Sequence, residues 1–212
     1  ENFVSPAFIV KCCKRLGFAG YRELFYYLTV QIGGINEQAG RKNPASMLDG
    51  MDPESVSYFC KLLYDHRNRK IFAVGMGFAE HVAAYMVHRL SICGFTVFNS
   101  VHFYDYMLFR EQGEGMVSNL EPSLMLAVSQ SGESNIVLND VTRAKQQGFK
   151  IISFTRCADS TLVRMSDVHF IINETKQAFV GDMPNTFFGK VIIAFEELTG
   201  EYLRRQREDV AK

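Results

Sequence analysis

An apolar run, Leu124-Met-Leu-Ala-Val128, opens directly into Ser129-Gln130-Ser131-Gly132-Glu133-Ser134, after which helical spacing begins. Such a junction gathers three hydroxyls and the free amides of a helix start. The partial positive charge there favours an anion, phosphate above all. Gly132 lets the backbone turn and approach a ligand closely. Serines at a strand-to-helix junction also serve as N-caps, so the residues alone leave both readings open. A second glycine-bearing junction, Gly75-Met76-Gly77, follows another apolar run. It lacks the third glycine of a dinucleotide fingerprint, since Ala79 and Glu80 follow, and no ribose-binding acid closes the next strand. No nicotinamide cofactor, and no other cofactor, is expected. Candidate proton-transfer groups are His102, Glu133 and Glu174. Each also has a plain reading: a solvated loop histidine, a carboxylate favoured by a helix dipole, and a strand-end residue. His81 and His88, seven apart, read as packing or interface residues, and no pair stands at metal-ligand spacing.

The elements that must position these residues follow from periodicity. Ser5-Pro6 reads as N-cap and N1 of a short helix with Phe8, Ile9, Cys12, Cys13 and Leu16 at helical spacing, stopped by Gly17. A second short helix is predicted over Tyr21 to Ile32. Residues 33–53 are rich in Gly, Asn, Gln, Ser and Pro and read as a linker, partly helical around Met47. From Pro53 onward, helices alternate with continuous apolar strands, as in a parallel sheet covered on both faces. Helices are predicted from Pro53 to His66, from Gly77 to Ile92, from Ser134 to Gln147 and from Asn185 to Arg207. Strands are predicted at Lys70–Gly75, Phe95–Phe98, Leu124–Val128, Lys150–Phe154 and Val168–Ile172, with helical or loop material around Tyr104 to Gly115. The fold class is therefore α/β: a five-stranded parallel sheet sandwiched by helices, doubly wound and Rossmann-like, with a short helical N-terminal remnant.

Composition narrows the class. The 212 residues carry 23 Lys plus Arg and 23 Asp plus Glu, so no global field draws the chain to nucleic acid or membrane. Five cysteines without a CxxC pair argue against a disulfide framework and a zinc site, and fit a reducing cytoplasm. No apolar run reaches the roughly 18 to 20 residues that span a bilayer, and no signal pattern opens the chain. The chain starts at Glu1 with helical material almost at once, as expected of a fragment of a longer protein.

Strand, Gly75-x-Gly77, helix, strand, then Val128-Ser-Gln-Ser-Gly-Glu-Ser134, helix, Ile152-Ser-Phe-Thr155 and Ser160-Thr-Leu-Val-Arg-Met-Ser-Asp-Val168 together resemble a sugar isomerase (SIS) domain over residues 53–208. Ser5 to Leu24 resembles the end of the helix-turn-helix of RpiR-type transcriptional regulators, in which that unit precedes a SIS domain. The resemblance implies three parts: residues 1–34 as the C-terminal part of a helix-turn-helix domain whose leading helices lie upstream, 35–52 as linker, and 53–212 as a phosphosugar-binding domain. It implies phosphate contacts from Ser129, Gln130, Ser131, Gly132 and Ser134, with Gly75, Gly77, His102 and Glu174 around the sugar. Ser134 stands where threonine is commoner in the family. Ala79, with bulky Phe78 beside it, occupies a loop where the family often places a serine. Charge-assisted hydrogen bonds contribute about 1.5 to 3 kcal/mol each, so three of them approach the roughly 8 kcal/mol of micromolar binding.

Four basic residues, Lys11, Lys14, Arg15 and Arg22, describe an ordinary solvated helix face by themselves. With the resemblance, Lys11, Lys14 and Arg15 are expected at operator phosphates, and Ser5, Ala7 and Phe8 near base edges. The expected role is sensing: phosphosugar binding alters a dimer's grip on operator DNA without turnover. A phosphosugar aldose–ketose isomerase and a scaffold that has lost its ligand are the alternatives. The apolar face of the last helix and the aromatic tract Phe98 to Phe109 point to a homodimer or tetramer.

Overall fold

A computed structural model describes residues 6–24, 27, 46–104, 123–172 and 185–210. The chain divides into two compact units, Glu1–Ser46 and Met47–Lys212.

In the first unit, helix α1 spans Pro6–Arg15 with Lys14 and Arg15 in its last turn, where cations complement the helix dipole. Gly17, at φ +89°, ends it, and the Phe18 amide folds back to the Cys13 carbonyl at 3.0 Å. Cys13 is the buried side of this helix, while Phe8 and Leu16 are exposed. Helical backbone resumes at residues 21–24. The rest of the predicted second helix and most of the predicted linker fall outside the described residues.

The second unit holds a parallel five-stranded sheet. Its strands are β1 (Lys70–Gly75), β2 (Thr96–Phe98), β3 (Leu124–Val128), β4 (Lys150–Thr155) and β5 (Val168–Ile171), in the order β2-β1-β3-β4-β5. Registers such as Gly75↔Val128 and Val128↔Phe154 bring the carboxyl ends of β1, β3 and β4 level. Helices α2 (Pro53–Asp65), α3 (Phe78–Ile92) and α6 (Phe187–Val210) pack on one face; α4 (Asn135–Gln146) and α5 (Thr161–Met165) pack on the other. The strands serve both faces because their side chains alternate. Ile71, Ala73, Leu124, Leu126, Ile152 and Phe154 face the first layer, and Phe72, Val74, Met125, Ala127 and Ile151 face the second. Strands buried on both sides are mostly apolar, which is why they read as near-continuous hydrophobic runs, with Ser153 and Thr155 of β4 as buried polar exceptions.

Aromatic rings lock each layer. Phe59 of α2, Phe154, Phe170 and Phe195 of α6 form one cluster, with Phe154 stacked on Phe170 at 5.3 Å. Phe72, Phe103 and Phe149 form the other. Helix α2 starts at Asp52, whose carboxylate accepts from the Ser55 amide at 2.8 Å, with Pro53 in the first turn. Helices α3 and α6 are tied by Glu196, which accepts from Arg89 Nε at 2.7 Å and from the Tyr85 hydroxyl at 2.7 Å.

One expectation needs correction. The apolar face of the last helix does not wait for a partner: Phe187, Val191, Ala194, Phe195, Leu198 and Tyr202 are all buried within the unit's own core. The segment Ser160 to Val168 also holds a short helix, α5, capped by Ser160, that periodicity over so few residues does not reveal. The remainder of the aromatic tract, residues 105–109, lies outside the described residues. No helix among the described residues is long and apolar enough to cross a membrane.

Candidate functional site

The serine turn is built from below by β4 and α5. The Ser129 amide continues the ladder to the Phe154 carbonyl at 3.1 Å, and its buried hydroxyl accepts from the Gly132 amide at 3.1 Å. The Ser131 hydroxyl accepts from the Glu133 amide at 3.2 Å. Gly132 sits at φ +70°, and a Cβ there would stand 2.2 Å from Ser160 Oγ and 2.3 Å from Ser160 Cβ. Glycine is thus required twice, for the left-handed backbone and for contact with α5. The Gly132 carbonyl accepts from the Leu162 amide at 3.1 Å, and Glu133 Oε1 from the Thr161 amide at 2.7 Å. That amide holds the Glu133 carboxyl below its ordinary range, and the carboxylate is occupied in capping α5.

Gln130 is fixed at both ends. Its carbonyl accepts from the Arg156 amide at 3.1 Å, and its side-chain amide exchanges two bonds with Asn185, at 3.2 and 3.0 Å. Asn185 Oδ1 also takes the Phe187 amide at 3.2 Å, at the start of α6. Ser134 is the N-cap of α4, yet its side chain makes no capping bond. The first-turn amides of α4 have no partner inside the helix, as geometry requires.

Over this turn lies an open cavity of about 390 Å³, lined by Met76, Phe78, Ala79, Val128, Ser129, Gln130, Ser131, Ser134, Val137, Arg156 and Phe188. It opens beyond the carboxyl ends of β1 and β3. Strand order reverses there, so the flanking connections leave in opposite directions and part to form a crevice. One wall is polar: three serine hydroxyls, Gln130 and the α4 start. The other is apolar: Met76, Phe78 and Phe188, whose rings stand 5.8 Å apart in the Phe78–Phe188 pair. Arg156 carries the one formal charge among the described lining residues. Positive side chain, hydroxyl donors and helix start together favour an anion, and the apolar wall suits a carbon skeleton attached to it.

The other expected residues are placed as follows. Gly75 and Gly77 flank the cavity without lining it. A Cβ on Gly75 would stand 2.5 Å from the Ala79 carbonyl oxygen, so Gly75 lets α3 dock on β1, while Gly77, at φ +63°, is the α3 N-cap. His102 lies in a helical turn after β2, exposed, with Nδ1 2.7 Å from Asn99 Oδ1 and its ring against Phe98; it is not among the described lining residues. Glu174 and Ser5 lie outside the described residues. Lys11, Lys14 and Arg15 are exposed on α1. Among the described residues, no group of three or more His, Cys, Asp or Glu could hold a metal ion.

Sequence reasoning missed Arg156, Met76 and Phe188. Arg156 had a readable signal, as the first residue beyond a strand of a parallel sheet whose carboxyl end carries the site. Phe188 had none, since it belongs to the last helix, far along the chain.

A doubly wound parallel sheet with an anion-favouring crevice at its switch point defines a class of small-ligand binding domains. Within that class the chain belongs to the SIS domain family, whose model matches residues 63–189. It is 24% identical over 193 residues to the arabinose 5-phosphate isomerase KdsD of Yersinia pestis, covering 86% of this chain and 56% of that protein. It is 22% identical over 199 residues to an uncharacterized HTH-type transcriptional regulator of Clostridium perfringens, covering 84% and 69%. The chain spans from 19% to 69% of the length of the curated relatives it matches. The structure of the Vibrio vulnificus NanR protein complexed with ManNAc-6P shares the fold at a TM-score of 0.60, with 20% identity over 97% of this chain and 76% of that one.

Proposed function

We propose that this chain is the effector domain of an RpiR-type transcriptional regulator of sugar metabolism, binding a phosphosugar at Ser129–Ser134 without converting it. The observation that carries the ligand class is the crevice itself. The serine hydroxyls, the α4 start and Arg156 suit a phosphate, and Met76, Phe78 and Phe188 suit a sugar's carbon face. The phosphosugars named for an isomerase relative and for a NanR structure agree with it.

An aldose–ketose isomerase needs a base within reach of the carbon-bound proton. The sensing reading is supported by two of the candidate bases being engaged elsewhere: Glu133 accepts from the Thr161 amide, and His102 stands against Asn99. In this reading residues 1–34 complete a helix-turn-helix with upstream helices, 35–52 form the linker and 53–212 sense the ligand. Lys11, Lys14 and Arg15, with Ser5, meet operator DNA, and the protein works in the cytoplasm as a homodimer or tetramer.

The test is ligand-observed NMR with hexose, hexosamine, N-acetylmuramic acid and pentose phosphates, following binding and conversion in the same tube, for the wild type and Ser131→Ala. Binding without conversion over hours, weakened by Ser131→Ala, is the expected result. Steady conversion would make the chain an isomerase. Absence of binding by any phosphosugar would make it a scaffold.

A further inference from the structure

We propose that Arg156 makes this cavity selective for a doubly charged phosphate monoester over a singly charged ester of the same shape; the inference rests on the phosphosugar reading above. The serine hydroxyls and the amides at the α4 start are neutral donors, which fit any tetrahedral oxyanion. A sulfate monoester matches a phosphate monoester in shape but carries a single charge, whereas the phosphate monoester, with a second pKa near 6, is mostly dianionic at neutral pH. A full positive charge separates the two more strongly than neutral dipoles do, and among the described lining residues Arg156 alone has one.

Its position is set by the same junction that shapes the serine turn. The Arg156 amide donates to the Gln130 carbonyl at 3.1 Å, Thr155 Oγ1 donates to that carbonyl at 3.3 Å, and the Cys157 amide donates to Thr155 Oγ1 at 3.3 Å. The backbone carrying the guanidinium is thereby held against the loop that carries Ser129 and Ser131. A guanidinium stays charged at every working pH and offers paired donors to two phosphate oxygens. The neighbouring cation Arg164 is directed elsewhere, donating to the Asp159 carbonyl at 2.6 Å and the Thr161 hydroxyl at 2.8 Å. The nearby carboxylate on the turn, Glu133, is turned to α5.

The experiment is calorimetric titration of the wild type, Arg156→Gln, Arg156→Lys and Ser131→Ala with the 6-phosphates and 6-sulfates of glucose, N-acetylglucosamine and N-acetylmannosamine. Thermal unfolding confirms that each variant is folded. The wild type is expected to prefer phosphate. Arg156→Gln is expected to weaken phosphate-ester binding by about ten- to hundredfold and sulfate-ester binding only a few-fold, so that the preference collapses, with Arg156→Lys recovering part of it. Ser131→Ala is expected to weaken both esters alike and keep their ratio. If the wild-type preference survives in Arg156→Gln, the role of Arg156 is overturned while the phosphosugar reading stands. If no phosphosugar of the wider panel above binds the wild type, that reading and the inference fall together.

Discussion

Replacing Gly132 with alanine tests the central claim about the serine turn, that its shape depends on a residue without a side chain. At φ +70° an alanine costs roughly 1 to 2 kcal/mol from backbone sterics. The added Cβ also meets Ser160 Cβ at 2.3 Å and Ser160 Oγ at 2.2 Å, with Thr155 Oγ1 at 3.0 Å. Overpacking of that kind typically costs a further 1 to 3 kcal/mol, so the total is about 2 to 5 kcal/mol. For a domain of this size that lowers the midpoint of thermal unfolding by roughly 5 to 20 °C. Urea denaturation of single and double variants separates the two causes. Ser160→Gly removes both clashing atoms and costs only a few tenths of a kcal/mol as a change of N-cap. In that background Gly132→Ala is expected to cost only the backbone part, roughly 1 to 2 kcal/mol. Ser160→Ala keeps the Cβ and should relieve little. The reasoning is refuted if Gly132→Ala lies within about 0.5 kcal/mol of the wild type, or if Ser160→Ala rescues it as fully as Ser160→Gly.

Two further outcomes follow from the same geometry. Ser134→Ala removes an N-cap hydroxyl that makes no capping bond. Stability by urea denaturation should change by less than about 0.5 kcal/mol, below the usual cost near 1 kcal/mol. Phosphosugar affinity by calorimetry should fall about tenfold; the opposite pattern would identify Ser134 as a structural cap. Burial on α4 pushes the Asp140 carboxyl up to about 6. Between the unfolded value near 4 and that figure, the folded state holds a proton the unfolded state has lost, so stability declines as pH rises through this window. Asp140→Asn should match the wild type near pH 4 and exceed it by about 1 to 2 kcal/mol at pH 7, after discounting for partial exposure. A difference independent of pH would contradict this.

Much of the fold was legible because strands buried on both faces read as near-continuous apolar runs. Lys70–Gly75 and Leu124–Val128 occupy the spans their apolar runs predict. Gly148, at φ +79°, stands just beyond α4, as its place after Gln147 implies. The serine turn was legible for a related reason, since a turn at a strand-to-helix junction keeps its hydroxyls within a few consecutive residues. The short helix α5 was not, because five residues do not define a period. Its partnership with the turn, through Gly132 against Ser160 and Glu133 on Thr161, joins segments some 28 residues apart. The apolar face of α6 was visible, but its destination was not, because hydrophobicity says that a face is buried and not against what.

The sequence alone determined an α/β fold with a parallel sheet and an anion-favouring turn after the third strand, since periodicity, turn residues and adjacent hydroxyls are local properties. Only the tertiary structure decided the strand order β2-β1-β3-β4-β5, and with it which strand ends share one crevice. It turned Glu133 to the start of α5 and seated Arg156 and Phe188 at the cavity. It left His102 out of the described lining. The reason is that order and register come from packing helices on both faces of one sheet, a condition on the whole chain that no window of neighbouring residues contains.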